Sequence, residues 1–248
     1  MTKLVVAGAL AAAAYTGGRH VGASERFTIA EVELRGAEQV SAGEVRARLG
    51  DLAGRHVFPA SLARAEARIE AHPWVESARV RRDLPSRIRV DVREREPAAI
   101  AFLDRFYLVD ERGLPFVRVR PGAEAARGLV VVTGLERRDY RRDPEGARER
   151  IREAIAAAEV YEAGDRPPLG EVHVGPEDRL SFVTYDDAAE IRTAASSADD
   201  IGAWLRGFDA AHASLSERER TTANLYRVEG VAAPERVTVD FSGRRARN

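Results

Sequence analysis

A chain of 248 residues leaves room for one large domain or two small ones. Its net charge of −1 excludes a general nucleic-acid binder, which needs a basic stripe, and the absence of cysteine excludes disulfides, thiolate catalysis and cysteine-ligated metals. A hydrophobic content of 44% beside 32% charged residues fits a folded body rather than a disordered one.

The first segment, LVVAGALAAAAYTGG from Leu4 to Gly18, carries no charge. As a helix it would span roughly 22 Å, short of the ~30 Å hydrocarbon core of a bilayer. Three readings fit it: a signal anchor whose true start lies upstream of Met1, a cleaved signal peptide, or a buried helix. The expectation is that residues 1–21 form a membrane anchor or signal segment and residues 22–26 a linker.

Alternation begins at Phe27. Val32 and Leu34 face one side of a strand, Glu31, Glu33 and Arg35 the other. Ser41 and Glu44 then form an S-x-x-E capping box, with Val40 and Val45 as its hydrophobic staple, and Gly50 closes this helix as an αL cap. Leu62, Ala65 and Ile69 recur at helical spacing until His72-Pro73. Two strands follow. Ala78 and Val80 oppose Arg79 and Arg81; after a Leu84-Pro85-Ser86 turn, Ile88, Val90 and Val92 alternate with Arg89, Asp91 and Arg93. The order strand, helix, helix, strand, strand predicts a module over residues 27–96, with two helices covering one sheet face.

From residue 97 to 241 the pattern changes. AAIAFL, FYLVD, PFVRV and LVVVTGL are strand candidates, and Asp143-Pro144 caps a helix that buries Ile151 and Ile155. Three more strands run through GEVHVGPEDRLSFVTYDDAAEIRT. Ile201, Trp204, Leu205, Phe208, His212 and Leu215 form the apolar stripe of a further helix, and NLYRV with ERVTVDF closes the domain. The fold class is therefore α+β: an N-terminal membrane segment, a β-α-α-β-β module, then a larger α+β domain on a long antiparallel sheet. Residues 242–248 form a basic tail.

Chemistry is sparse. The histidines are His20, His56, His72, His173 and His212; no pair has H-x-x-x-H spacing, and no G-x-S-x-G, H-E-x-x-H, Walker lysine or G-x-G-x-x-G occurs. The reading is of a chain that is no enzyme and takes no cofactor, metal, nucleic acid or small-molecule substrate. The last strand offers more. Val237, Val239 and Phe241 lie on one side of it, Thr238 and Asp240 on the other. If it is a sheet edge, its backbone groups can pair with an incoming strand; otherwise it is an ordinary terminal strand guarded by its charges.

FTIAEVELRGAEQVSAGEVRARLG, HPWVESARVRRDLPSRIRVDVREREPAAI, YLVDERGLPF, VVTGL and LGEVHVGPEDRLSFVT, in this order and spacing, resemble the FtsQ/DivIB family of bacterial cell-division proteins. The resemblance implies a POTRA domain, then the family's β domain, both outside the cytoplasmic membrane on one transmembrane helix. It implies a non-enzymatic scaffold in the inner membrane at the division septum, with its C-terminal domains periplasmic. That scaffold would bind FtsB-like and FtsL-like partners to assemble the septal peptidoglycan machinery. The other reading of the module is a POTRA-containing transport or outer-membrane assembly factor. It would need the many alternating segments of a barrel. In the family, partner binding maps to the last two strands. Here this points to Tyr226, Arg236, Val237, Thr238, Val239, Asp240 and Phe241, with Tyr226 and Phe241 as aromatic anchors. Arg79, Arg81, Arg89 and Arg93 are either a POTRA recruitment surface or a solvated face.

Overall fold

The computed structural model describes residues 25–52, 54–58, 61–229 and 236–241. The expected membrane segment and the basic tail lie outside them. Among the described residues no helix is long and apolar enough to cross a membrane. The chain divides into two compact units between Arg95 and Glu96.

The first unit holds β1 (Glu31–Arg35), α1 (Ala42–Leu49), α2 (Leu62–Glu70), β2 (Val75–Asp83) and β3 (Arg87–Glu94). This is the β-α-α-β-β order that alternation and caps predict. The capping box forms: Ser41 accepts from the Glu44 N–H while Glu44 accepts from that of Ser41. Val40 and Val45 are both buried beside it. Gly50 departs from expectation. Its φ of 60° comes with ψ −127°, outside the αL well, and the chain runs on into a 3₁₀ turn, Gly50–Leu52. The sheet order is β1-β3-β2, with β3 antiparallel to β2 and parallel to β1. Ile88, Val90 and Val92 point into a core with Val45, Leu49, Ala65 and Ile69, as the period-2 and period-3.6 patterns require.

The second unit is one nine-stranded sheet with helices packed on it. Its elements are β4 (Ala99–Phe102), β5 (Phe106–Val109), β6 (Pro115–Val119), β7 (Val131–Thr133), α3 (Arg137–Arg142), α4 (Pro144–Glu162), β8 (Leu169–Val174), β9 (Leu180–Thr184), β10 (Glu190–Arg192), α5 (Ala198–Ser214), α6 (Glu217–Thr222), β11 (Leu225–Glu229) and β12 (Arg236–Asp240). The strand order is β12-β11-β10-β9-β8-β7-β4-β5-β6.

The expected antiparallel sheet is corrected to a mixed one. β4–β7, β7–β8 and β10–β11 are parallel pairs. Between β4 and β7 two antiparallel hairpin steps, β4–β5 and β5–β6, restore the chain direction; for β7–β8 and β10–β11 the cause is the position of the helices. α4 connects β7 to β8 and α5 with α6 connects β10 to β11, and a helical crossover returns the chain in its original direction. Asp143 caps α4 by accepting from the Gly146 N–H at 3.0 Å, with Pro144 in the first turn. Ile151, Ala154, Ala158 and Tyr161 of α4 meet Ile201, Trp204, Leu205 and Phe208 of α5 and the sheet residues Val172, Phe182, Ile191 and Tyr226 in one core.

Candidate partner-binding edge

Among the described residues β12 is an outermost strand of the sheet and pairs with β11 on one side only. The antiparallel register sets Val239 against Tyr226, Thr238 against Arg227, Val237 against Val228 and Arg236 against Glu229. Alternation does the rest. Val237 and Val239 are half-buried and pack on the helical side, whereas Arg236, Thr238 and Asp240 are exposed.

The backbone phase of this edge follows from one bond. The Asp240 carbonyl accepts from the Asn224 N–H at 2.9 Å, so the peptide groups of Asp240 face β11. In an antiparallel ladder, N–H and C=O of alternate residues point to the same side. Thr238 and Arg236 therefore also face β11. The N–H and C=O of Val237 and Val239 point off the sheet, in the plane where another strand would lie. Arg236 closes the far end of the pair on Glu229 at 2.5 Å. Its guanidinium holds the Glu229 carboxyl below the usual carboxylate range.

Tyr226 corrects the sequence expectation. It is 1% exposed and belongs to the core, not to a contact surface. Its ring meets Phe208 edge-on at 4.8 Å, and its hydroxyl is 3.1 Å from His212 Nδ1. An aromatic at an even position of β11 shares the helical face with Val239, so it is covered by α5. Burial pushes the Tyr226 hydroxyl pKa up and, first among its causes, the His212 pKa down. Phe241, just beyond β12, does stand out, at 44% exposed.

The four arginines of the first unit separate into two pairs. Arg89 is committed to Glu33 at 3.2 Å and Asp83 at 3.3 Å, and Arg93 to Glu76 at 2.8 Å. Arg79 and Arg81 are exposed on β2 and make no ion pair among the described residues. Sequence reasoning did not find Glu94, whose carboxylate accepts from the backbone N–H groups of Glu38, Gln39 and Val40 at 2.8–3.1 Å. Nor did it find the groove of about 1030 Å³ on the sheet face opposite the helices, lined by Glu171, His173, Glu190, Arg192 and Arg227. There Thr133 Oγ1 lies 2.5 Å from Glu171 and 2.8 Å from His173 Nδ1. Among the described residues no group of three or more acidic, histidine or cysteine side chains could hold a metal ion.

Residues 27–95 match the family described as POTRA domain, FtsQ-type. Three similar proteins carry the name Cell division protein FtsQ. That of Myxococcus fulvus is 37% identical over 138 residues, which is 56% of this chain and 48% of the relative. That of Anaeromyxobacter sp. (strain K) is 28% identical over 250 residues, 99% of this chain and 82% of the relative. That of Koribacter versatilis is 30% identical over 189 residues, 75% and 53%. The match thus spans about half the length of the Myxococcus and Koribacter proteins. The first unit thus matches a POTRA domain of the FtsQ type, and the similarity to bacterial cell-division proteins named FtsQ runs on through the second unit.

Proposed function

We propose that this chain is a non-enzymatic scaffold of the bacterial division machinery, held at the cytoplasmic membrane by its N-terminal segment with the two folded units outside. It binds FtsB-like and FtsL-like partners by accepting a strand on β12 and so helps assemble the septal peptidoglycan machinery. The observation that carries this reading is the edge itself: the backbone groups of Val237 and Val239 point off the end of a nine-stranded sheet. Main-chain hydrogen bonds would give affinity, and Phe241 at the strand's end would add apolar contact. The relatives' shared name supports the division role. The uncharged stretch Leu4–Gly18 supports the anchoring.

The test uses the full chain as a fluorescent fusion in cells depleted of the native copy. The parent should gather at the division site, restore division and co-purify with its small coiled-coil partners. A Val239→Pro fusion should stay folded and lose those partners. Diffuse parent fluorescence in dividing cells, or a Val239→Pro fusion that retains every partner, would overturn the reading.

A further inference from the structure

The first unit has two poles. β1 and β3 run in parallel from Glu31 and Arg87, and the chain leaves for the second unit at the far end, past Glu94. With eight residues in β3 at ~3.3 Å each, the poles lie roughly 25 Å apart. At the arriving pole, residues 27–29 pair with the segment around His56: Ile29 N–H donates to Arg55 C=O and Val57 N–H to Phe27 C=O. The β2–β3 turn closes on the same pole, where Ala30 N–H donates to Ser86 C=O at 2.8 Å. Arg82 ties the two together by donating to the carbonyls of Val57 and Phe58 at 2.8 and 3.1 Å.

This pole is apolar where a water-facing surface would not be. Phe58 and Leu84, 46% and 54% exposed, are the large exposed hydrophobic side chains of the first unit among the described residues, and both are here. The Phe58 ring packs at a tilt against Phe27, with centroids 5.3 Å apart, and against His56 at 5.6 Å, so the rings form one cluster. Arg26, Arg55, Arg82 and Arg87 surround it, and Glu25, Glu31 and Asp83 offset all but one of these charges. Rings beside arginines, with little net charge, have the composition of the bilayer–water interface.

We infer that this pole is a membrane-contact surface, which seats Phe58 and Leu84 among the lipid headgroups. The inference rests on the anchoring reading above. Eight residues, Arg19–Arg26, separate the uncharged stretch from Phe27, and fully extended they reach at most ~28 Å. The headgroup layer occupies only ~5–7 Å on each side of the hydrocarbon core. A pole that the chain itself tethers this closely has a bilayer as its nearest large surface. The contact orients the unit so that its exit past Glu94 is directed away from the lipid. Because the local charges nearly cancel, apolar seating carries it, and anionic lipid is not required.

The chain contains no cysteine, so single cysteines can be introduced cleanly. Full-length Phe58→Cys, Leu84→Cys and, at the other pole, Glu38→Cys are labelled with a nitroxide. They are then reconstituted in vesicles of phosphatidylethanolamine, with or without phosphatidylglycerol. Labels at 58 and 84 should gain collisions with oxygen and lose collisions with a nickel chelate several-fold relative to the label at 38, in both lipid mixtures. Floating vesicles in which all three labels remain equally open to nickel would overturn the inference and leave anchoring intact. Loss of access to both reagents at 58 and 84 would mean a protein contact, such as a second copy, and would also overturn it. If the parent chain does not float with vesicles at all, the anchoring reading falls and this inference with it.

Discussion

Proline at neighbouring positions of β12 separates the fold from the proposed docking edge. At Thr238 the ring removes an N–H that faces β11 and leaves the Arg227 carbonyl unpaired, costing about 1–3 kcal/mol. At Val239 the lost N–H points off the sheet, so the ladder keeps its bonds. Only a half-buried side chain of similar size changes, at a cost below about 1 kcal/mol. For a unit of this size each kcal/mol moves the midpoint by about 2–4 °C. Thr238→Pro should therefore melt about 2–12 °C below the parent and Val239→Pro within about 4 °C of it. Binding should reverse the order of injury. A docked strand that loses the Val239 donor keeps an unpaired carbonyl, again about 1–3 kcal/mol, or roughly 5- to 150-fold in affinity. Melting by circular dichroism and titration calorimetry with the coiled-coil partner measure both quantities. A Val239→Pro protein that melts lower than Thr238→Pro means that the phase read from the Asn224–Asp240 bond is inverted. Unchanged affinity in a folded Val239→Pro protein refutes strand addition at this edge.

Three further outcomes test other parts of the molecule. Val90 is fully buried, so Val90→Asp leaves an unpaired charge costing about 3–5 kcal/mol, whereas Arg89→Ala on the opposite face should cost less than about 1 kcal/mol; equal melting temperatures would refute the register. Glu44 is held down to about 2 by the Ser41 hydroxyl and N–H, with His72 assisting, from an ordinary value of 4.5. Its stabilisation is thus complete above pH 4.5 and is lost as pH falls through about 2, so urea titrations of Glu44→Ala and parent should differ at neutral pH and converge near pH 2. Gly134 sits at φ 89° where a Cβ would collide with the Val174 carbonyl, and Gly134→Ala should lower stability by about 1–3 kcal/mol in thermal melts.

What could be read from sequence was local. Ile88, Val90 and Val92 show their burial through period 2 alone, and Ser41 with Glu44 shows its cap through spacing alone. Ser216 and Glu219 repeat that signal at α6, which was therefore legible too. α3 was not: its six residues include four arginines and bury no side chain, so it carries no periodic stripe. Non-local facts left no mark. β4 pairs with β7 although two strands intervene, and nothing in either segment specifies a parallel neighbour. Glu94 reaches back 54 residues to the Val40 N–H, a partner no window contains. The proposed docking edge was half legible. Its alternation was plain, but its place at the sheet margin and its backbone phase both depend on which strand lies beside it.

Tyr226 shows how far side-chain type misleads without that neighbour. An aromatic in the penultimate strand fits a contact anchor and a core residue equally well, and only the register with Val239 under α5 decides. As a core residue it supports the edge from behind, through Phe208 and His212. Tyr226→Ala should then cost about 3–5 kcal/mol, as large aromatic truncations in packed interiors do. Affinity would fall only as far as β11 and β12 lose their shape. Acid should act on the same support. Burial first, and Arg220 second, hold the His212 pKa below its usual 6.5. The folded state therefore binds this proton less readily than the unfolded chain does, and stability declines as pH falls below about 6.5. His212→Gln, which titrates nothing, should flatten that decline. A Tyr226→Ala protein that melts like the parent yet binds its partner poorly would restore Tyr226 to the contact surface. It would also show that β11 turns its other face to α5.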